Sequence, residues 1–299
     1  MKINTNVSSL TAQEASTNTN NSIKSSLEKL STGLKINKAS DDASGLAIAD
    51  KLRTQVTSVN QGVSNGNSAI ALLQIADKSM AEQSNILDTV KAKLIQANTD
   101  TTSVAGRTAI AKDIDKLLQQ LNNIAKQTNY NGTALLQAKA SSAASGTAAS
   151  KGLSFQIGES TSDLMKTKTI QANISGFALT SLKGNVSAGG AVSAGATAGT
   201  AGVFTRTMAS AGQAAVDKAI TKLNGYRGDI GSTQNQIESA VRNLMTQSTN
   251  IKAAESVIRD VDYAEESANF NKLNIISQAG SYAISQANAV SQNVLRLLQ

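Results

Sequence analysis

The chain has no proline, cysteine, histidine or tryptophan in 299 residues, and its aromatics are four Phe and four Tyr. Each absence excludes something. Without cysteine there is no disulfide and no thiolate nucleophile or ligand. Without histidine the commonest general base and the commonest zinc ligand are missing, and no Ser-His-Asp triad can form. Without proline no helix interior loses a backbone donor, so helices of unusual length are permitted. With 3% aromatic residues a thick globular core is hard to fill, whereas Ala, Leu, Ile and Val suit thin helix-on-helix contacts. No apolar run reaches membrane-spanning length, because charges and amides interrupt every segment, so a membrane is not an expected partner. The opening residues, Met1-Lys2-Ile3-Asn4-Thr5, lack the apolar stretch of a secretory signal, so an exported product is expected to use another route. The net charge is +7 and the isoelectric point about 9.5. Lys and Arg are nevertheless scattered among acids with few stacking aromatics, and nucleic acid is not an expected partner either.

What is present is helical periodicity. From Leu52, steps of seven reach Val59, Gly66, Leu73, Met80, Leu87 and Leu94. From Leu223 the same step reaches Ile230, Ile237, Leu244, Ile251 and Ile258. A sustained seven-residue repeat is an apolar seam that faces another helix. Shorter stripes lie at the ends: Ile23, Leu27, Leu30 and Leu34, and then Phe270, Leu273, Ile276, Ile284, Val294 and Leu297. The spacing predicts helices over about 42–98, 107–127, 211–259 and 265–298, with a break over 35–40 where Ser40, Asp41 and Asp42 supply capping side chains. A helix over 42–98 would be roughly 85 Å long at 1.5 Å per residue.

The middle is different. Asn129-Tyr130-Asn131-Gly132 is a turn signal, and alternating runs over 153–157 and 167–174 predict a small β-hairpin. Segments 140–150 and 187–202 are rich in Ala, Gly, Ser and Thr and read as surface loops, too poor in apolar surface to hold a core. The expected fold is mainly α, with long antiparallel helices pairing the N- and C-terminal arms as coiled coils. The expected domains are residues 1–40 with 262–299, residues 41–180 with 205–261, and a loop over 181–204.

Catalytic motifs are missing. Asp41-Asp42 and Glu265-Glu266 are adjacent carboxylates that point about 100° apart on a helix, which suits capping rather than acid–base work. No nucleophile elbow, phosphate loop, EF-hand loop or H-E-x-x-H motif occurs. Gly225, Gly228 and Gly231 are too closely spaced for a dinucleotide fingerprint and are expected inside a helix where another backbone packs close. The composition points to no catalysis, cofactor or metal. Asn131-Gly132-Thr133 and Asn185-Val186-Ser187 match the N-glycosylation tripeptide, a pattern short enough to arise by chance.

Residues 27–49, LEKLSTGLKINKASDDASGLAIA, resemble the N-terminal signature of bacterial flagellins. Residues 129–132, NYNG, resemble that family's turn after its second helix. Residues 258–266, IRDVDYAEE, resemble a second signature, and the tail QAG (278–280), QAN (286–288) and QNVLRLL (292–298) a third. The resemblance spans about 1–135 and 210–299 and is similar to the flagellins of Campylobacter-like bacteria.

The resemblance implies a filament subunit that polymerises with itself. Its terminal helices order into an inner tube on assembly, and the long helices form an outer tube around it. It implies travel through the flagellar type III export apparatus without a cleaved signal, a flagellin chaperone on the C-terminal helix, and contacts with filament cap and hook-associated proteins. The expected location is extracellular, and the runner-up is a hook–filament junction protein of the same organelle. The family's innate-receptor segment carries Arg and Leu where this chain has Thr89 and Lys93, beside Asp88, so weak or no activation of the Toll-like flagellin receptor is expected. Central hydroxyls such as Ser187, Ser193 and Thr197 are candidates for O-glycosylation by the same resemblance.

Overall fold

The computed structural model describes residues 6–137, 152–187 and 204–297, with side chains described to residue 290. By its contacts the chain divides into two compact units, residues 1–57 with 247–299 and residues 58–246. Among the described residues there are six helices: α1 (Val7–Thr32), α2 (Ala43–Ala97), α3 (Val104–Gln127), α4 (Thr180–Ser187), α5 (Arg206–Arg259) and α6 (Tyr263–Leu297). The strands among the same residues are β1 (Asn129–Tyr130), β2 (Thr133–Ala134), β3 (Ser154–Gln156) and β4 (Leu164–Lys166). The mainly helical architecture with paired terminal arms agrees with the periodicity.

In the first unit α1 and α6 run antiparallel. Asn6 Nδ2 donates to the Ala287 carbonyl at 3.0 Å, the Ser277 hydroxyl reaches Asn20 Oδ1 at 3.4 Å, and the Ser26 hydroxyl donates to Glu266. Asn6 caps α1 by accepting from the Ser9 amide. Asp262 caps α6 by accepting from the Ala264 and Glu265 amides, and Glu265 and Glu266 place negative charge in the first turn, where the helix dipole favours it.

Gly33 ends α1 in the left-handed region at φ 74°, and its amide bonds the Lys29 carbonyl. Leu34 therefore lies outside the helix, contrary to the stripe drawn through it. It forms an antiparallel bridge with Asp260.

The second unit holds the core. Along α2 and α5, contacts pair Gly62 with Leu244, Gly66 with Val241, Asp77 with Arg227, Lys91 with Asp217 and Leu94 with Gly212, so these helices run antiparallel. On α3, Leu121 lies against Gln83 of α2 and Asp113 against Lys93, giving a second antiparallel pair. Between the three helices Leu73, Met80, Leu87, Leu94, Ile114, Leu118, Leu121, Val216, Leu223, Ile230 and Ile237 are buried. The buried Gln83 amide donates to the Leu121 and Ala172 carbonyls and so ties the connecting segment to the helices.

Asn131 and Gly132, at φ 47° and 78°, turn β1 into β2, as a two-residue hairpin loop requires. The other hairpin pairs Ser154 with Lys166, Phe155 with Met165 and Gln156 with Leu164. Its second strand is thus 164–166, not 167–174. The chain turns early because Asp163 accepts from the Ser160 amide and Gln156 Nε2 reaches the Gly158 and Ser160 carbonyls. Ile170, Ala172 and Ile174 are buried in the core instead of alternating across a ladder. The expected loop from 181 is also helical as far as Ser187, because Leu182 and Val186 of α4 find apolar cover.

Candidate self-association surface

The expected seam residues divide by the work they do within one chain. Val59, Leu73, Leu87, Leu94, Leu223, Ile230 and Ile237 are buried by the chain itself and offer nothing to a second copy. Leu52, Leu244, Ile251 and Ile258 are half-buried, as are Leu30, Leu34, Phe270, Leu273 and Ile284 of the terminal arms. Leu27 is 54% exposed. Val294 and Leu297 belong to the last turns of α6, where side chains are outside the description.

The terminal helices carry further apolar side chains that the stripes missed. Val7 is 62% exposed, Ile275 67% and Tyr282 73%, with Leu10 and Val290 also exposed. Ile275 and Tyr282 are themselves seven residues apart, so α6 has a second apolar line beside the one that includes Phe270 and Leu273. A helix apolar on two faces needs two partners, and α1 supplies one. The signal was in the sequence, but a single seven-residue register follows one face only.

The paired acids separate into two caps. Asp41 accepts from the Asn37 and Lys38 amides, whereas Asp42 accepts from the Ser44 and Gly45 amides at the start of α2. The Lys38 amide, followed by that of Asn37, holds the Asp41 carboxyl below its ordinary range. Gly225, Gly228 and Gly231 lie within α5 as expected, but among the described residues nothing beyond their own helix backbone stands within 4 Å of where their Cβ atoms would be. On α2 a backbone comes close at Gly62, against the Ile157 carbonyl, and the Val241 side chain comes close at Gly66.

Asp88 and Thr89 are exposed on α2, and the Thr89 hydroxyl is turned back to the Asn85 carbonyl. Lys93 Nζ pairs with Asp113 at 3.2 Å. Ser187 is exposed at the end of α4, while Ser193 and Thr197 lie outside the described residues. Among the described residues no three His, Cys, Asp or Glu side chains gather as a metal site, and no helix is long and apolar enough to cross a membrane.

Two terminal helices that pair with each other yet keep apolar side chains uncovered define a structural subunit made to associate. The chain belongs to the bacterial flagellin family: residues 3–141 match the bacterial flagellin N-terminal helical region and residues 213–298 the C-terminal helical region. It is 35% identical to the flagellin of Bacillus subtilis (strain 168), covering all of both chains. It is 31% identical to the flagellar filament 33 kDa core protein of Treponema phagedenis, again covering all of both. A Vibrio parahaemolyticus structure, given provisionally as a flagellar hook-associated protein, matches 73% of this chain and 99% of its own with TM-score 0.58 and 13% identity, a likeness of fold alone. The chain is a structural subunit of the extracellular flagellar filament and polymerises with itself.

Proposed function

We propose that polymerisation buries the outward apolar lines of α1 and α6, and that these terminal helices, residues 1–40 and 262–299, form the inner layer of the filament. The observation that carries this reading is the exposure of Leu27, Ile275 and Tyr282 on helices whose other faces are already occupied. Each such side chain gains about 1.5–3 kcal/mol when fully removed from water, so a few per subunit, repeated along a filament, favour assembly. Contacts of this head-to-tail kind do not close on themselves and therefore propagate as a helix. The antiparallel α2, α3 and α5, with residues 41–180 and 205–261, make the outer layer, their core already satisfied before assembly.

The same uncovered α6 is the surface a flagellin chaperone would hold before the chain enters the type III export apparatus. Filament cap and hook-associated proteins would meet the ends of the polymer. Asp88, Thr89 and Lys93 give weak or no activation of the Toll-like flagellin receptor, since Thr89 replaces an Arg and the Lys93 charge is committed to Asp113. The central hydroxyls, Ser187 among them, are sites for O-linked sugar. The role is mechanical, and no catalytic step is assigned to it.

Removal of residues 286–299 tests the assembly reading. The truncated chain is expected to remain soluble and unpolymerised when its concentration is raised, as seen by electron microscopy. Normal filaments from it would refute the role given to α6.

A further inference from the structure

The connector between α1 and α2 and the junction between α5 and α6 are tied together in the first unit. The Lys35 amide donates to the Arg259 carbonyl at 2.7 Å, and the Val261 amide donates to the Gly33 carbonyl at 3.0 Å. These two bonds flank the Leu34–Asp260 bridge. The fit is close: a Cβ on Gly33 would stand 2.8 Å from the Tyr263 hydroxyl, and a Cβ on Gly45 would stand 2.8 Å from Ile36 Cδ1. Among the described residues the tie is this pair of backbone bonds, so it persists when the connector is held in shape.

Two side chains hold that shape: Asn37 Nδ2 donates to the Leu34 carbonyl at 3.1 Å, and Asp41 ties Asn37 and Lys38 in turn. Asp41 Oδ2 accepts from the Asn37 amide at 3.0 Å and the Lys38 amide at 2.9 Å, folding residues 37–41 back on themselves. This fold sets Lys38 Nζ 2.6 Å from Glu28 of α1 and leaves Ile36 buried beneath. A carboxylate accepting two backbone N–H bonds does so best when ionised. The charged groups around Asp41 are Glu28 and Lys29 of α1, Lys35, Lys38 and Asp42 of the connector, and Arg259 beyond it. Asp260 is turned to Ser256 and Asp262 to the amides of α6.

We propose that Asp41 is an acid-released latch, whose ionised carboxylate keeps the α1–α2 connector bridged to the α5–α6 junction and whose protonation lets that bridge open. Its two N–H bonds lower its pKa below the ordinary 3.8, so the latch contributes above that value and is lost as pH falls through the depressed one. Lys38 is shifted upward by its bond to Glu28, so its charge persists throughout this acid window. The cation stays and the carboxylate goes. Both amides already share Oδ2, so protonation acts by removing the negative charge that strengthens each bond and leaves a weaker, neutral acceptor.

Hydrogen exchange on full-length chain assembled into filaments tests this, with protection corrected for the intrinsic pH dependence of exchange. Between pH 7 and about pH 2 the Lys35 and Val261 amides of the parent should lose protection about tenfold, the scale of a lost side-chain cap, while the Leu87 amide in the core keeps its own. In D41N the same two amides should be under-protected already at pH 7 and change no further. K38Q, which removes the Glu28 pair but keeps the carboxylate, should retain the parent's acid response. Parent amides that stay protected to pH 2, or that lose protection only in step with Leu87, would overturn the latch. So would a D41N profile equal to the parent's. Should D41N not assemble, the parent profile alone decides, and electron microscopy of the same samples reports filament integrity separately.

Discussion

Two glycines of the same chain should respond in opposite directions to the same substitution. Gly62 lies inside α2, and an ideal Cβ there falls 1.9 Å from the Ile157 carbonyl oxygen and 3.5 Å from Leu244 Cδ1. An ordinary carbon–oxygen contact is about 3.3 Å, so G62A must push the end of the β3–β4 hairpin back by roughly 1.4 Å. That retreat strains the bond from Asn65 Nδ2 to the Gln156 carbonyl, 3.0 Å in the parent, whose loss costs about 1 kcal/mol. Overpacking itself costs about 1–3 kcal/mol. Against these stands the helix propensity of Ala over Gly, about 1 kcal/mol in the other direction. The net is a destabilisation of about 1–3 kcal/mol, or roughly 3–9 °C in melting temperature for a unit of this size. Gly228 in α5 has open space where its Cβ would be. G228A keeps only the propensity term and should raise the melting temperature by about 2–4 °C. Circular dichroism melts and urea titrations of dilute, unassembled chain read both. A G62A variant that melts at or above the parent would refute the reasoning, because it would mean that the hairpin does not lie on α2 at that glycine.

Other outcomes follow from the same packing. I237D places a carboxylate at a fully buried position between α2 and α5 and should cost at least about 3 kcal/mol, visible as a lowered melting temperature; an unchanged melt would count against the buried seam. On receptor reporter cells the parent monomer should signal weakly, and T89R with K93L should raise the signal; parent activity equal to that of a strongly stimulating flagellin would contradict the reading of Asp88, Thr89 and Lys93.

The periodic residues determined much of this protein without any coordinates. A seven-residue repeat can be satisfied only by helices with an apolar neighbour, so long helices, their pairing and the capping role of Asp42 follow from local chemistry. The Asn131-Gly132 turn is legible for the same reason, since few residue pairs tolerate two positive φ angles. What local chemistry does not encode is which apolar face meets which partner. Leu87 and Leu27 look alike as sequence, yet one is sealed in the chain's own core and the other is left uncovered, a distinction made only by the neighbours that arrive from distant parts of the chain. The same holds for the glycines: Gly62 and Gly228 carry the same permissive backbone, and only the tertiary arrangement decides that one admits a passing carbonyl and the other faces open space. It holds again for the short strand at 164–166, where Asp163 and Gln156 close the turn before the longer alternating run can pair, because Ile170 and Ile174 gain more by entering the helical core.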